Sequence, residues 1–462
     1  MADHFEVAVI GAGPGGARAA RRCAQRGASV TLIEKEYIGG TCLNWGCIPS
    51  KALLASAHTL LSAKRAGEIG VDIASATPNW AKIQARKDAI VTGFRKAMIA
   101  TAQANKIKLI QGAATVVSPT QIKVKTDAGH IDIKANKIIL ATGSEPIQLS
   151  ALLFDGQTII SSKEALSLPQ VPPSLVIVGG GVIGCEMACV YAAMGTKVTV
   201  VEALSRLIPM EDEWVGRLLE REFKKIGIEA LTGQKVTAVD KSTTPAKITL
   251  ENGQTLSTEK VLVCVGRKPL VDKDTVGALN LQTNGAAIAV NEKLHTSVPG
   301  VYAIGDMVGT TFLAHGATTE ADVAAANATG GDHKIGDYSL IPRVVFTFPE
   351  VASVGKSEET CKSEGLDISV GKGFFKANGR SVAHNDTVGQ IRLVRDNSTN
   401  KIMGVTIVGS MATEFAAFAA TITGRTRQEL GHITFPHPTF SETLEDALED
   451  AFGPALYNLA GT

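Results

Sequence analysis

Hydrophobic positions along the chain gather into short β-branched runs, and two of these runs are followed by the same sequence of events. Val7-Ala8-Val9-Ile10 leads into Gly11-Ala12-Gly13-Pro14-Gly15-Gly16, and Leu175-Val176-Ile177-Val178 leads into Gly179-Gly180-Gly181-Val182-Ile183-Gly184. Unbroken apolar runs of this length predict parallel strands buried on both faces, and the alanine-rich stretches Ala17 to Gln25 and Cys185 to Met194 predict helices. Each helix ends at a glycine, Gly27 or Gly195, before a second apolar strand. Those strands are Ser29-Val30-Thr31-Leu32-Ile33, closing on Glu34, and Lys197-Val198-Thr199-Val200-Val201, closing on Glu202. Both acids stand 18 residues beyond the third glycine of their loop. One unit of strand, loop, helix, strand and acid thus occurs twice.

A G-x-G-x-x-G loop between strand and helix has a physical purpose. Its first glycine makes the tight turn, the second lets backbone N–H groups approach a pyrophosphate, and the third packs helix on strand. The helix N-terminus then holds the anion. A single copy is a weak signal, but two copies in full context predict two dinucleotide sites, at Gly11, Gly13, Gly16 and Glu34 and at Gly179, Gly181, Gly184 and Glu202. A carboxylate suits a free ribose 2′-hydroxyl and repels a 2′-phosphate, so the second site is expected to take NAD rather than NADP.

Just beyond Glu34 lies Gly39-Gly40-Thr41-Cys42-Leu43-Asn44-Trp45-Gly46-Cys47-Ile48-Pro49-Ser50-Lys51. Pro49 suits a first helical turn and Ala52-Leu53-Leu54-Ala55 continues as good helix-forming sequence, which places Cys47 at a helix N-terminus. Such a position favours the thiolate, and Lys51 adds positive charge one turn on. Residue types alone leave two structural thiols, half a metal site, a static disulfide and a redox disulfide all open. A zinc site wants further Cys or His ligands at short spacing, and no metal is expected. Placement directly after a dinucleotide fingerprint favours a disulfide that exchanges electrons with the bound cofactor. Cys185, Cys189 and Cys264 read as small buried core residues, while Cys23 and Cys361 carry no signal.

Composition narrows the setting. At 462 residues the chain is long enough for three or four domains. A formal net charge of +1 leaves no basic field for nucleic acid or anionic lipid. Seven cysteines are too few and too scattered for a disulfide scaffold, which points to a reducing, cytoplasmic setting. Asp3 and Glu6 precede the apolar stretch Val7 to Ala17, where an export signal carries positive charge. The apolar run from Leu175 meets Glu186 well short of the roughly 20 residues that cross a bilayer, so no membrane span is expected.

The two fingerprints, the Cys42 to Lys51 segment and the later His437-Pro438-Thr439-Phe440-Ser441-Glu442 together resemble the flavin disulfide oxidoreductases, the class I pyridine nucleotide-disulfide oxidoreductases. The resemblance runs over essentially the whole chain. It includes Ala141-Thr142-Gly143-Ser144, Val265-Gly266-Arg267, Val301 to Asp306, and Ile341 to Phe346 continuing to Pro349-Glu350-Val351-Ala352. It implies an α/β fold of two Rossmann-like dinucleotide-binding domains plus a C-terminal α+β dimerisation domain. FAD is implied in the first site, contacted by Gly11, Gly13, Gly16, Glu34, Lys51, Ala114, Thr142, Gly143, Ser144, Asp306, Ala314 and His315. NAD is implied at Gly179, Gly181, Gly184, Glu186 and Glu202, with Val236 near adenine and Gly266 closing the site.

The branch most similar to this chain oxidises dihydrolipoamide. It implies Cys42 as the substrate-side cysteine, Cys47 as the flavin-side thiolate, His437 oriented by Glu442 as acid and base, and Lys51 paired with Glu186 near the flavin. In the family the His437–Glu442 pair serves the neighbouring subunit, which implies a homodimer, with the lipoyl group arriving on another protein of a lipoate-dependent system such as a 2-oxo acid dehydrogenase or glycine cleavage. Related glutathione and trypanothione reductases carry Lys in place of Ser50 and basic residues near Glu202. Mercuric and larger thioredoxin reductases add a C-terminal redox pair, where this sequence has Leu456 to Thr462. Another flavin disulfide reductase, or a mainly structural subunit of a multienzyme complex, is the competing reading. Phe435-Pro436, Leu270 and Gly316 depart from the common pattern. The implied division is 1–145 for FAD, 146–270 for NAD, 271–342 returning to the FAD site, and 343–462 as the interface.

Overall fold

Alternate residues of the first apolar run feed two different cores: Val7 and Val9 pack in one hydrophobic cluster, Ala8 and Ile10 in another. That two-sided burial makes the strand Asp3–Ile10 interior and parallel to its neighbours Val30–Glu34 and Gly129–Leu140. The structure is a computed structural model that describes residues 3–453, so the tail Leu456 to Thr462 lies outside the described residues. The chain divides into two compact units, one built from 1–52, 82–147 and 266–338, the other from 53–81, 148–265 and 339–462.

The first unit is organised by a seven-stranded sheet in the order Lys108–Gln111, Val30–Glu34, Asp3–Ile10, Gly129–Leu140, Gln121–Thr126, Ala113–Ser118, with Val301–Ala303 beside Gly129–Leu140. The 12-residue strand Gly129–Leu140 divides its partners: its start pairs antiparallel with Gln121–Thr126, and its end pairs parallel with Val301–Ala303. Val301–Ala303 leads into Gly305 and Asp306, which places the late Gly-Asp turn on the same sheet as the first glycine loop. Helix Pro14–Gln25 buries Ala19, Ala20 and Cys23 in the cluster that also takes Ala321, Ala324 and Ala325 of helix Ala314–Ala328.

The second unit holds a five-stranded parallel sheet in the order Ile228–Thr232, Lys197–Glu202, Ser174–Val178, Lys260–Val263, Ile159–Ile160. A three-stranded antiparallel sheet of Val236–Asp240, Ala246–Leu250 and Thr255–Thr258 accompanies it. The C-terminal part is a five-stranded antiparallel sheet in the order Arg343–Val345, Glu350–Gly355, Ile402–Gly409, Gln390–Asp396, Ile368–Phe374. Helices Ala412–Ile422 and Glu442–Phe452 share its core with Ile391, Leu393, Ile402 and Val405. Two Rossmann-like halves and a C-terminal α+β domain are the observed fold class.

Element ends differ modestly from expectation. The first strand begins at Asp3, four residues earlier than its apolar run, because Asp3, His4 and Phe5 pair along Gly129–Leu140, with Asp3 and His4 open to solvent and Phe5 half-buried. Helices Pro14–Gln25 and Val182–Ala193 begin inside their glycine loops, earlier than the alanine-rich stretches suggest. A short helix, Gly40–Trp45, carries Cys42. Cys264 is only partly buried, unlike Cys185 and Cys189.

Strand Ile368–Phe374 approaches helix Glu442–Phe452 closely enough that a Cβ on Gly371 would lie 2.0 Å from the Ala447 carbonyl oxygen. Gly93, in helix Trp80–Ala104, has nothing within 4 Å of an added Cβ. Gly371→Ala is therefore expected to destabilise the protein by about 1–3 kcal/mol through overpacking, whereas Gly93→Ala stabilises it by about 0.5–1 kcal/mol through helix propensity. Thermal melts of the two variants check this, and equal melting temperatures contradict it.

Candidate functional site

Both glycine loops are built by the same contacts. Gly11 donates its N–H to the Ile33 carbonyl at 2.8 Å, and Gly179 donates to Val201 at 2.8 Å. Gly11 and Gly179 turn with φ of 98° and 110°, a backbone that favours glycine. A Cβ on Gly16 would lie 1.8 Å from the Gly11 oxygen, and one on Gly184 2.0 Å from the Gly179 oxygen. Gly13 and Gly181, by contrast, have nothing within 4 Å of an added Cβ. Helices Pro14–Gln25 and Val182–Ala193 start there with no side-chain cap on their N–H groups. Open space over uncapped helix amides fits the pyrophosphate of a dinucleotide.

The acids do more than the sequence reading gave them. Glu34 accepts the Ala12 and Glu36 N–H groups at 2.8 and 2.9 Å, and Glu202 accepts those of Gly180 and Leu204 at 2.6 and 2.7 Å. Each carboxylate ties its strand end to its glycine loop, with lone pairs left for a ribose hydroxyl.

The same loop positions the cysteine segment. Gly39 donates its N–H to the Ala12 carbonyl at 2.8 Å, and a Cβ on Gly40 would lie 2.7 Å from the Gly13 Cα. Gly39 and Gly40 both have positive φ, 96° and 55°, so the glycine pair lets the segment settle directly onto the fingerprint. Cys42 and Cys47 form a disulfide, with Cα atoms 4.7 Å apart. Cys47 is the first residue of helix Cys47–Arg65, and Lys51 lies one turn in. Asn44 and Arg95, which sequence reasoning left without a role, hold this segment. Asn44 Nδ2 donates to the Ile38 and Gly40 carbonyls at 3.1 and 2.8 Å, and Arg95 Nε donates to Asn44 Oδ1. The Arg95 guanidinium also stacks 4.0 Å from the Tyr37 ring centre. Asn44 lay within a quoted motif, but only coordinates link it to Arg95, 51 residues away.

Of the remaining first-unit candidates, Ser144 meets Asp306 directly. Its carboxylate accepts the Ser144 hydroxyl, while Arg267 Nε donates to Ser144 Oγ at 2.7 Å and Arg267 Nη2 to the Ser144 carbonyl at 2.7 Å. Burial lowers the Arg267 pKa, opposed by the charges of Asp306 and Glu145. The Thr142 hydroxyl donates to the Leu270 carbonyl at 2.5 Å, and Leu270 returns its N–H to the Gly143 carbonyl at 2.8 Å. Leu270 thus acts through its backbone. Ala114 and Thr142 line one small cavity of about 20 Å³ with Ile10, Leu140 and Met307. Ala314 and His315 open helix Ala314–Ala328. Gly316 is forced there, since an added Cβ would meet Thr311 Oγ1 at 2.3 Å. Gly266 directly follows Cys264 and Val265, whose backbone would stand 2.5 and 3.2 Å from a Cβ on Gly179, and its carbonyl accepts the Ile147 N–H at 3.1 Å.

In the second unit, Glu186 is buried on helix Val182–Ala193 and accepts the Phe346 N–H at 3.1 Å. Val236 begins the strand Val236–Asp240, opposite Leu250. His437 Nδ1 lies 2.7 Å from Glu442 Oε1, and the Thr439 N–H donates to Glu442 Oε2 at 2.7 Å. A carboxylate only accepts, so Nδ1 carries the proton of this bond and Nε2 is the nitrogen left to exchange a proton with a substrate. The imidazole is 80% exposed. The Thr439 N–H, followed by the His437 hydrogen bond, lowers the Glu442 pKa. Burial pushes the thiols of Cys23, Cys189 and Cys264 up to about 12, and that of Cys185 up as well. Among the described residues no cluster of His, Cys, Asp or Glu could hold a metal ion, and no helix is long and apolar enough to cross a membrane.

Residues 5–326 match the family described as pyridine nucleotide-disulphide oxidoreductase, and residues 341–448 match its dimerisation domain. The chain is 37% identical over 459 residues to a dihydrolipoyl dehydrogenase of Bacillus subtilis, covering 98% of this chain and 99% of that one. It is 39% identical to a leghemoglobin reductase of Vigna unguiculata, covering 96% and 87%. The solved structure of LpdA from Mycobacterium tuberculosis superposes with a TM-score of 0.90 at 24% identity, over 97% of this chain and 99% of that one. The chain therefore belongs to the pyridine nucleotide-disulphide oxidoreductases, a family that uses FAD and NAD(H), and it is an oxidoreductase carrying the Cys42–Cys47 disulfide.

Proposed function

We propose that the chain oxidises protein-bound dihydrolipoamide to lipoamide and reduces NAD+ to NADH, as the activity named for its full-length relatives suggests. The observation that carries this reading is a disulfide whose second sulfur opens a helix, set against a dinucleotide loop. FAD bound at the first loop supplies two-electron transfer between a dithiol and a nicotinamide.

The chain's own residues handle protons and sulfur. His437 Nε2 takes a proton from one substrate thiol, and that thiolate attacks Cys42 Sγ. The Cys42–Cys47 bond breaks and Cys47 leaves as a thiolate, stabilised by the helix amides and by Lys51. The second substrate thiol, once deprotonated, attacks the substrate sulfur of the mixed disulfide. Cys42 leaves, so the substrate is oxidised and the cysteine pair holds two electrons. Glu442 keeps His437 in the required tautomer. Lys51 and Glu186 set charge near the flavin, and Glu202 selects NAD through its ribose.

The matched dimerisation domain supports a homodimer in which each copy's His437–Glu442 pair serves the other copy's disulfide. The division into 1–145, 146–270, 271–342 and 343–462 is part of this proposal, as is a cytoplasmic setting, supported by five cysteines left unpaired. The lipoylated carrier is a separate protein.

With dihydrolipoamide and NAD+, the FAD-loaded protein is expected to form NADH, and Cys47→Ser to abolish that turnover while flavin stays bound. Bound flavin with no dihydrolipoamide oxidation overturns the reading. Glu202→Ala is expected to lower kcat/KM for NAD+ about tenfold or more, the loss of a charge-assisted hydrogen bond of about 1.5–3 kcal/mol. An unchanged ratio of NAD+ to NADP+ use contradicts its role. Because the Glu442 pKa is lowered in the folded state, its contribution to stability is present above its ordinary value of 4.5 and fades as pH falls through the lowered pKa. The melting-temperature gap between the parent and Glu442→Gln should narrow over that acid range, and a constant gap contradicts it.

A further inference from the structure

We infer that Glu320 is a positioning residue for the flavin site, holding the backbone of the Gly305–Asp306 turn while Ser144, engaged by Arg267, holds the Asp306 side chain. The inference rests on the reading of Asp306 as a partner of the FAD ribityl chain. Glu320 lies on helix Ala314–Ala328, whose other buried residues are mostly alanine, and is only 1% exposed. A carboxyl group in such a place is costly unless both oxygens are hydrogen-bonded.

Both are. Glu320 Oε2 accepts the Gly305 N–H at 2.5 Å, and Oε1 accepts the Tyr338 hydroxyl at 2.8 Å. Gly305 sits at a φ of 74°, directly before Asp306 in the short helix Gly305–Val308. Fixing its N–H fixes the peptide plane that leads into Asp306. The Asp306 side chain is held separately, by the Ser144 hydroxyl that Arg267 in turn engages. Burial raises the Glu320 pKa, the Gly305 and Tyr338 hydrogen bonds oppose that rise, and the Asp306 charge adds to it. The two carboxylates therefore sense each other, although Glu320 makes no direct hydrogen bond to Asp306 among those described. A packing role alone would be met by another alanine. What alanine cannot supply is the acceptor for Gly305.

The test is FAD affinity of the full chain, measured by fluorescence of released flavin, for Glu320→Ala, Glu320→Gln, Asp306→Ala, Tyr338→Phe and the Glu320→Ala/Asp306→Ala pair, beside melts of the FAD-stripped proteins. Glu320→Ala is expected to weaken FAD binding roughly ten- to a hundredfold, the range set by orphaning a buried donor. Glu320→Gln, which keeps an acceptor for Gly305, should stay close to the parent. Tyr338→Phe should weaken binding a few-fold, and it carries the test if Glu320→Ala does not fold. In the Asp306→Ala background, Glu320→Ala should add little, the non-additivity expected of residues acting through one another. Unchanged affinity in Glu320→Ala or Tyr338→Phe overturns the inference. So does full additivity with Asp306→Ala, because it shows Glu320 acting only on the fold. Unchanged affinity in Asp306→Ala alone overturns the reading of Asp306, and this inference with it.

Discussion

The backbone contact between Gly16 and the Gly11 carbonyl governs the first unit. An added Cβ would stand 1.8 Å from that oxygen, so helix and strand meet with no side chain between them. That proximity aims the first helical amides over open space at Gly13, and the Glu34 carboxylate fixes the loop by taking the Ala12 N–H. Gly39 and Gly40 then settle on Ala12 and Gly13, which sets the disulfide against the dinucleotide loop. Three glycine contacts in series thus carry the cysteines from sequence neighbours of a nucleotide motif to physical neighbours of the loop that binds it. The second unit repeats the first two contacts at Gly184 and Glu202, and the segment it brings onto its loop is Ile208, whose N–H reaches the Gly180 carbonyl at 2.8 Å. The same scaffold thus carries the Cys42–Cys47 segment on its loop in the first unit and Ile208 in the second, and the segment after the second strand makes the difference.

Much of this was legible in the sequence because it is written locally. The apolar runs, the glycine spacing and the closing acids are short-range signals, and they mark the two Rossmann-like halves within a few residues. Cys47 at a helix start followed from Pro49 and the helix-forming residues after it. The pairing of His437 with Glu442, five residues apart, was also within reach of the motif. Long-range contacts were not legible. Arg95 on Asn44, Arg267 on Ser144 and Glu320 on Gly305 each join residues whose types say nothing of one another. The double duty of Glu34 and Glu202 was not legible for a related reason: a carboxylate at a strand end carries no local sign of which backbone N–H groups it accepts. Gly371 and Gly373 carry no local signal, and the helix lying on them explains why no side chain fits.

The electrostatic arrangement separates reactive from inert sulfur. Burial drives the thiols of Cys23, Cys185, Cys189 and Cys264 upward, so almost none is thiolate near neutral pH. Cys47, once released from its disulfide, faces helix amides instead. A chain with one reactive pair among seven cysteines needs that contrast, since any other reactive thiolate would attack the mixed disulfide and divert the exchange from the Cys42–Cys47 pair.

Peptide-mapped alkylation of the FAD-loaded protein, before and after one equivalent of dihydrolipoamide, tests the central claim most directly. The account predicts no alkylated cysteine at Cys42 or Cys47 beforehand, and label at both, and not at the buried thiols, afterwards. Label at both before reduction, or at neither after it, contradicts a redox disulfide that takes its electrons from this substrate.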